Sequence, residues 1–212
     1  MSEQSVFLIT GASKGLGRSI CGILANKGYV VVGLARQSPE LDELDAYLKK
    51  YNAKSCAIAC DLSVPKLVNN TAGEIVKRYP AIHGIIHNAG IIGPVGNIFK
   101  VDEAEWNGTL VVNLVSVQQL TRILYPAMVN AGRCRVTTIS SGAAVNSLES
   151  WSAYCTSKAG LDMWTRCLAD EGRADGISAV SIAPGIVDTD MQATIRSADK
   201  SDFPMVDRFI EF

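Results

Sequence analysis

The sequence predicts an α/β fold, a single domain over residues 1–212 built on a doubly wound parallel sheet with helices on both faces. Three observations predict it. Short apolar runs alternate with amphipathic helical stretches along the whole chain. The runs are nearly continuous, as in Val30-Val31-Val32, which marks strands covered on both faces rather than one. A glycine-rich turn, Gly11 to Gly17, follows the first run directly and opens the first helix.

In order, strands are predicted over 6–10, 29–35, 54–60, 82–88, 133–140 and 178–182. Helices are predicted over 16–27, 40–51, 64–78 and 105–130, and from about residue 152, where Leu161, Trp164 and Leu168 recur at helical spacing. Such βα repeats join by right-handed crossovers. No repeat, low-complexity tract or linker divides the chain.

Twenty basic and 21 acidic residues give a net charge of −1 with no like-charge block, so neither nucleic acid nor an anionic membrane is an expected partner. Asn26, Lys27 and Arg36 interrupt the longest apolar stretch well short of the ~18 residues of a membrane span. The N-terminus is read as entering a strand without a cleavable signal. Two histidines in one strand region make a metal site unexpected. The six cysteines are scattered, and Cys56 and Cys60 lie too far apart along one strand to bridge. Reduced thiols in a cytoplasmic protein are the expectation.

The chemistry centres on Tyr154 and Lys158, four apart on a helix and therefore on one face. A free phenol titrates near pH ~10, and an adjacent ammonium favours its ionised form. Ser141, on the loop after the 133–140 strand, offers a hydroxyl beside that phenol. Glycines at 11, 15 and 17 allow a pyrophosphate to approach the backbone at a helix N-terminus. The spacing is Gly-x-x-x-Gly-x-Gly, and no Gly-Lys-Ser/Thr of a P-loop is present. Strand two ends at Arg36 with no carboxylate for a ribose diol. With Lys14 in the glycine turn, this favours a 2′-phosphate and hence NADP(H) over two merely solvated charges. Asp61 either accepts from an adenine amine or caps the following turn.

Together, Thr10–Gly17, Asn88-Ala89-Gly90, Asn113, Ser141, Tyr154-x-x-x-Lys158 and Pro184-Gly185-x-x-x-Thr189 resemble the short-chain dehydrogenase/reductase family from residue 6 to about 191. Trp151-Ser152-Ala153-Tyr154 and Asp188-Thr189-Asp190-Met191-Gln192 are similar to its sepiapterin reductase and benzil reductase branch. The resemblance implies a Rossmann-type fold and an NADPH-dependent reductase of ketones or vicinal dicarbonyls. Tyr154 would be the proton donor, Lys158 would lower its pKa and bind the nicotinamide ribose, and Ser141 would hold the substrate oxygen. Asn113 would hold a water behind Lys158. Cofactor contacts would come from Gly11, Ser13, Lys14, Gly15, Leu16 and Gly17, from Arg36, Asp61 and Leu62, and from Asn88, Ala89 and Gly90. The backbone from Ile186 to Thr189, Val187 included, would grip the carboxamide. Trp151 and Met191 would wall the substrate pocket, under a lobe over about 186–212. His87 reads as a structural histidine.

Family members continue through a further helix and a last strand, so the sequence is expected to lack these elements. An apolar stripe at Trp106, Leu110, Leu114, Val117 and Leu124 suits the homodimer that the resemblance implies. The alternatives are a 3-oxoacyl reductase or another short-chain alcohol dehydrogenase (sugar or steroid), or a catalytically silent NADP(H)-binding sensor. The intact Ser141, Tyr154, Lys158 and Asn113 set argues against the sensor.

Overall fold

The computed structural model describes residues 4–185, 187–197, 199–200 and 203–210. Its strands are β1 (Val6–Thr10), β2 (Val30–Ala35), β3 (Cys56–Ala59), β4 (Gly84–His87), β5 (Cys134–Ile139) and β6 (Ile177–Ile182). They form one six-stranded sheet in the order β3-β2-β1-β4-β5-β6, parallel throughout. The helices are α1 (Gly15–Asn26), α2 (Pro39–Tyr51), α3 (Pro65–Arg78), α4 (Glu103–Leu110), α5 (Ser116–Asn130), α6 (Ser152–Glu171), α7 (Asp190–Arg196) and α8 (Asp207–Ile210).

Successive strand residues point to opposite faces, and both faces are buried. Leu8, Val32, Leu34 and Ile85 pack under α3 and α5 with Val68, Ile75, Leu120 and Leu124. Ile9 and Val31 pack on the other side with Cys21 of α1 and Leu41, Leu44 and Leu48 of α2. Each such fully buried aliphatic side chain contributes roughly 1.5–3 kcal/mol. Continuous apolar strands are therefore what this sheet requires.

The helix starts follow from local chemistry. Ser38 accepts from the Leu41 amide at 3.3 Å, Pro39 takes the first helical position, and Glu40 and Asp42 face the positive end of α2. Asp102 caps α4 through the Glu105 amide at 2.9 Å. Helix α1 differs. Its cap, Lys14, makes no side-chain bond to the first turn, so those amides stay open toward the strand ends.

The single helix expected over 105–130 is instead two helices joined by a π-helical segment, Val111–Val115. Asn113 lies in that segment, fully buried. Its amide donates to Ile91 O at 2.9 Å and Ser157 Oγ at 3.0 Å, and its oxygen accepts from Ile91 N at 2.9 Å. The widened turn lets one polar side chain bind the post-β4 segment and α6 together. Much of the predicted stripe is used inside the chain. Leu114 packs on Gly160 of α6, where an added Cβ would meet its Cδ2 at 2.8 Å, and Trp106 Nε1 donates to Ser152 Oγ at 3.1 Å.

Strand order reverses between β1 and its neighbours β2 and β4. In such sheets the crevice beyond the strand ends at that point is where ligands bind.

Candidate active site

The glycine turn is locked to the end of β4 by side chains from both. Thr10 Oγ1 accepts from the amides of Asn88 and Ala89, each at 3.0 Å. The Asn88 amide group returns the contact, donating to Thr10 O at 2.9 Å and Gly11 O at 3.2 Å. Gly11 has φ +65°, and a Cβ there would lie 2.9 Å from Ala89 Cα. A Cβ on Gly17 would lie 2.2 Å from Gly11 O, against backbone that cannot yield. Gly17 thus supports the turn from below rather than facing a ligand.

The strand ends and the segment after β6 enclose a cleft of about 960 Å³. Of the expected residues, Gly11, Lys14, Gly15, Leu16, Asn88, Ala89, Gly90, Ser141, Trp151, Tyr154, Lys158, Val187, Thr189 and Met191 line it. Ser13, Gly17, Arg36, Asp61, Leu62 and Asn113 do not. Ile186 lies outside the described residues. Asp61 spends one carboxylate oxygen on the turn, accepting from Ser63 N at 2.9 Å and Ser63 Oγ at 2.7 Å, which is the capping alternative. Asn113 likewise directs its side-chain amide to protein partners.

Tyr154 and Lys158 share a face of α6, with Nζ 5.6 Å from the phenol ring centre. Both are buried, at 7 % and 3 % exposure. In the ligand-free protein the phenol pKa does not fall below its ordinary value. Burial raises Tyr154 above its ordinary value, against a smaller downward effect of the Ser141 hydroxyl. Lys158 Nζ instead donates to Ile139 O at 2.7 Å, and burial lowers its pKa to about 8 against the opposing pull of Asp162. Spacing on a helix fixes the shared face but not where a four-carbon stem ends. Ser141 Oγ accepts from Ala143 N at 3.2 Å.

Trp151 is buried, stacked on Phe203 with centroids 5.0 Å apart, and meets Tyr154 edge-on at 5.7 Å. Phe209 completes the cluster 5.2 Å from Trp151, so α8 and the turn before it hold the tryptophan against the phenol. The sequence reading named neither phenylalanine. It also missed Glu40. Its carboxylate, in the first turn of α2, lies 3.2 Å from Lys14 Nζ.

The residues fit a dinucleotide on four observations. The first turn of α1 has no side-chain cap, and Gly11 and Gly15 leave the turn backbone without a Cβ where they line the cleft. The Lys158 ammonium has one acceptor for three donors, and Ser140 Oγ is buried in the cleft wall without a partner. Ser140, Trp151 Nε1 and Gln192 Oε1 are among four unpaired buried side-chain atoms found in the described residues, and all three residues border the cleft. The fourth, His87 Nδ1, does not border the cleft. The other ring nitrogen, Nε2, meets Thr121 Oγ1 at 2.8 Å, and burial lowers its pKa to about 3.

A profile of the short chain dehydrogenase family matches residues 5–200. This chain belongs to that family. A benzil reductase ((S)-benzoin forming) from Bacillus cereus is 35% identical over 211 residues, covering 96% of this chain and 84% of the relative. The crystal structure of the KRED1-Pglu enzyme superposes with TM-score 0.89 at 35% identity, over 98% of this chain and 86% of that one. A short chain dehydrogenase from Shigella flexneri complexed with NADP has TM-score 0.83 at 25% identity, over 94% and 84% of the two chains. As a short chain dehydrogenase the protein is an oxidoreductase, and the family uses a nicotinamide dinucleotide. Among the described residues no helix is long and apolar enough to cross a membrane, and no cluster of His, Cys, Asp and Glu could hold a metal.

Proposed function

We propose that the protein is an NADPH-dependent carbonyl reductase acting on ketones or vicinal dicarbonyls, with Tyr154 as proton donor. One observation carries this reading. The cleft that begins at the uncapped turn of α1 ends where Ser141, Tyr154 and Lys158 meet an aromatic wall. The similarity to a benzil reductase supports a bulky diketone as substrate.

The bound reduced dinucleotide supplies the hydride. Glycine-turn amides and the positive end of α1 would hold its pyrophosphate, and Lys158 its ribose hydroxyls. Ser141 Oγ and Tyr154 Oη donate to the carbonyl oxygen, placed before charge develops there. Tyr154 then gives up its proton to that oxygen, and the buried Lys158 ammonium stabilises the phenolate left behind. The raised phenol pKa keeps that proton in place at neutrality. Trp151 and Met191 exclude water and orient aryl substituents.

The test is dinucleotide oxidation by the wild type with benzil, a small diketone, a 3-oxoacyl thioester and a pterin. Tyr154→Phe should lose at least about 10²-fold in kcat. Unchanged turnover in that variant removes the assigned donor. NADPH binding without turnover of any carbonyl points to a sensor instead. A homodimer joined through α5 and α6 belongs to the same reading, supported by exposed Val115 and Met163 at those helices, as does residence in the cytoplasm. Sedimentation tests the dimer.

A further inference from the structure

We infer that Glu40, by holding Lys14, sets how strongly this site distinguishes a phosphorylated from a plain adenosine ribose. The inference rests on the dinucleotide reading above. Lys14 Nζ lies 3.2 Å from Glu40 Oε1 and 3.5 Å from Asp190 Oδ2. Lys14 and Asp190 both line the cleft, whereas Glu40 stands behind Lys14 on the first turn of α2, just past the end of β2. That is the level at which a doubly wound sheet meets the adenosine ribose.

The two cations expected to receive a 2′-phosphate are therefore not equivalent. Lys14 is already shared between two carboxylates. Arg36 is exposed and makes no ion pair among the described residues, and its charge is felt by Asp61. A 2′-phosphate that draws Lys14 forward must compete with Glu40 for the ammonium and then face that carboxylate across a few ångströms. Both effects oppose a dianion. A plain ribose diol brings no charge, and its hydroxyls are donors that a carboxylate accepts. Glu40 thus works against the phosphorylated dinucleotide and is neutral or favourable toward the other. The Lys14 side chain is 55% exposed, so solvent screens the pair and the effect is moderate.

Glu40→Gln keeps the size of the side chain and removes its charge. Ligand-free full chain is titrated with NADPH and NADH by tryptophan fluorescence, and with 2′,5′-ADP and 5′-AMP by calorimetry. In Glu40→Gln the affinity ratio should move toward the phosphorylated member of each pair by about five- to tenfold, and the shift should shrink at high salt. Glu40→Asp, which keeps the charge, should stay within about twofold of the wild-type ratio. An equal change for both members of a pair, or a salt-insensitive one, marks Glu40 as structural and overturns the inference. NADPH binding by the wild type with an unaltered ratio in Glu40→Gln overturns the inference alone. No binding of NADPH by either protein overturns the cofactor reading and the inference with it.

Discussion

Lys158 donates through Nζ to the carbonyl oxygen of Ile139 at 2.7 Å, a buried ammonium held by the last residue of the neighbouring strand. Gly90 makes room for it, since a Cβ there would lie 3.3 Å from Nζ. One bond to a neutral oxygen does not replace the water an ammonium loses. The lysine therefore costs stability in the ligand-free protein.

Lys158→Met should raise the stability of the ligand-free protein at pH 7 while lowering reductase turnover by about 10²-fold or more. The sign follows from the depressed pKa. Between about 8, its folded value, and 10.5, its reference value, the unfolded chain binds the extra proton, so wild-type stability rises with pH across that window. Below about 8 the full penalty applies, roughly 3 kcal/mol at 1.36 per pK unit. Denaturant titrations at pH 7 and pH 10 check it. A variant no more stable at pH 7, or equally favoured at both, contradicts the account.

The same lysine should set the alkaline limb of reduction. With Tyr154 raised and Lys158 near 8 in the free protein, kcat/KM is expected to fall as pH rises through about 8, from loss of the ammonium proton and not the phenol's. Lys158→Arg, unable to deprotonate, should move that limb upward in whatever activity remains. Profiles with identical limbs would assign the titration elsewhere.

Gly17→Ala places a methyl 2.2 Å from Gly11 O, against backbone already bonded to Asn88. Dinucleotide affinity should drop at least tenfold, with a loss of about 1–3 kcal/mol in stability. Gly73→Ala, where an added Cβ meets nothing within 4 Å, should show neither loss. Fluorescence titration and thermal melts separate the two.

Phe203 does not border the cleft, yet it is fully buried and stacks on Trp151. Phe203→Ala should cost about 3–5 kcal/mol of local packing and free the tryptophan. The expected signature is a larger rise in KM for benzil than for a small diketone, with faster proteolysis between residues 187 and 210. Equal KM changes for both substrates would show that Trp151 does not read substrate bulk.

Strand positions were legible in the sequence because a sheet buried on both faces demands uninterrupted apolar runs, whereas two helices expected from 40 and 105 begin at 39 and 103, where the unread caps Ser38 and Asp102 start them. Most of the site residues named through the family resemblance line the cleft, because the resemblance fixes backbone positions. The shortfalls lie where side chains end and where elements meet. The break at Val111–Val115 comes from Asn113 reaching two other elements, and the destination of Lys158 depends on Ile139. Glu40 and Phe203 act from elements whose approach to the cleft is a tertiary fact. An acid in the opening turn of a helix reads equally well as a response to the helix dipole.

Thr10 has one further consequence. Its hydroxyl oxygen receives two amides from beyond β4 and the Asn88 side chain returns two bonds, so the segments that leave the paired strands β1 and β4 are tied together at the mouth of the groove. The groove's width is thus calibrated in the empty molecule, and a nucleotide arriving there meets a finished socket instead of having to open one. Its association should consequently behave as a one-step encounter, governed by diffusion and steering.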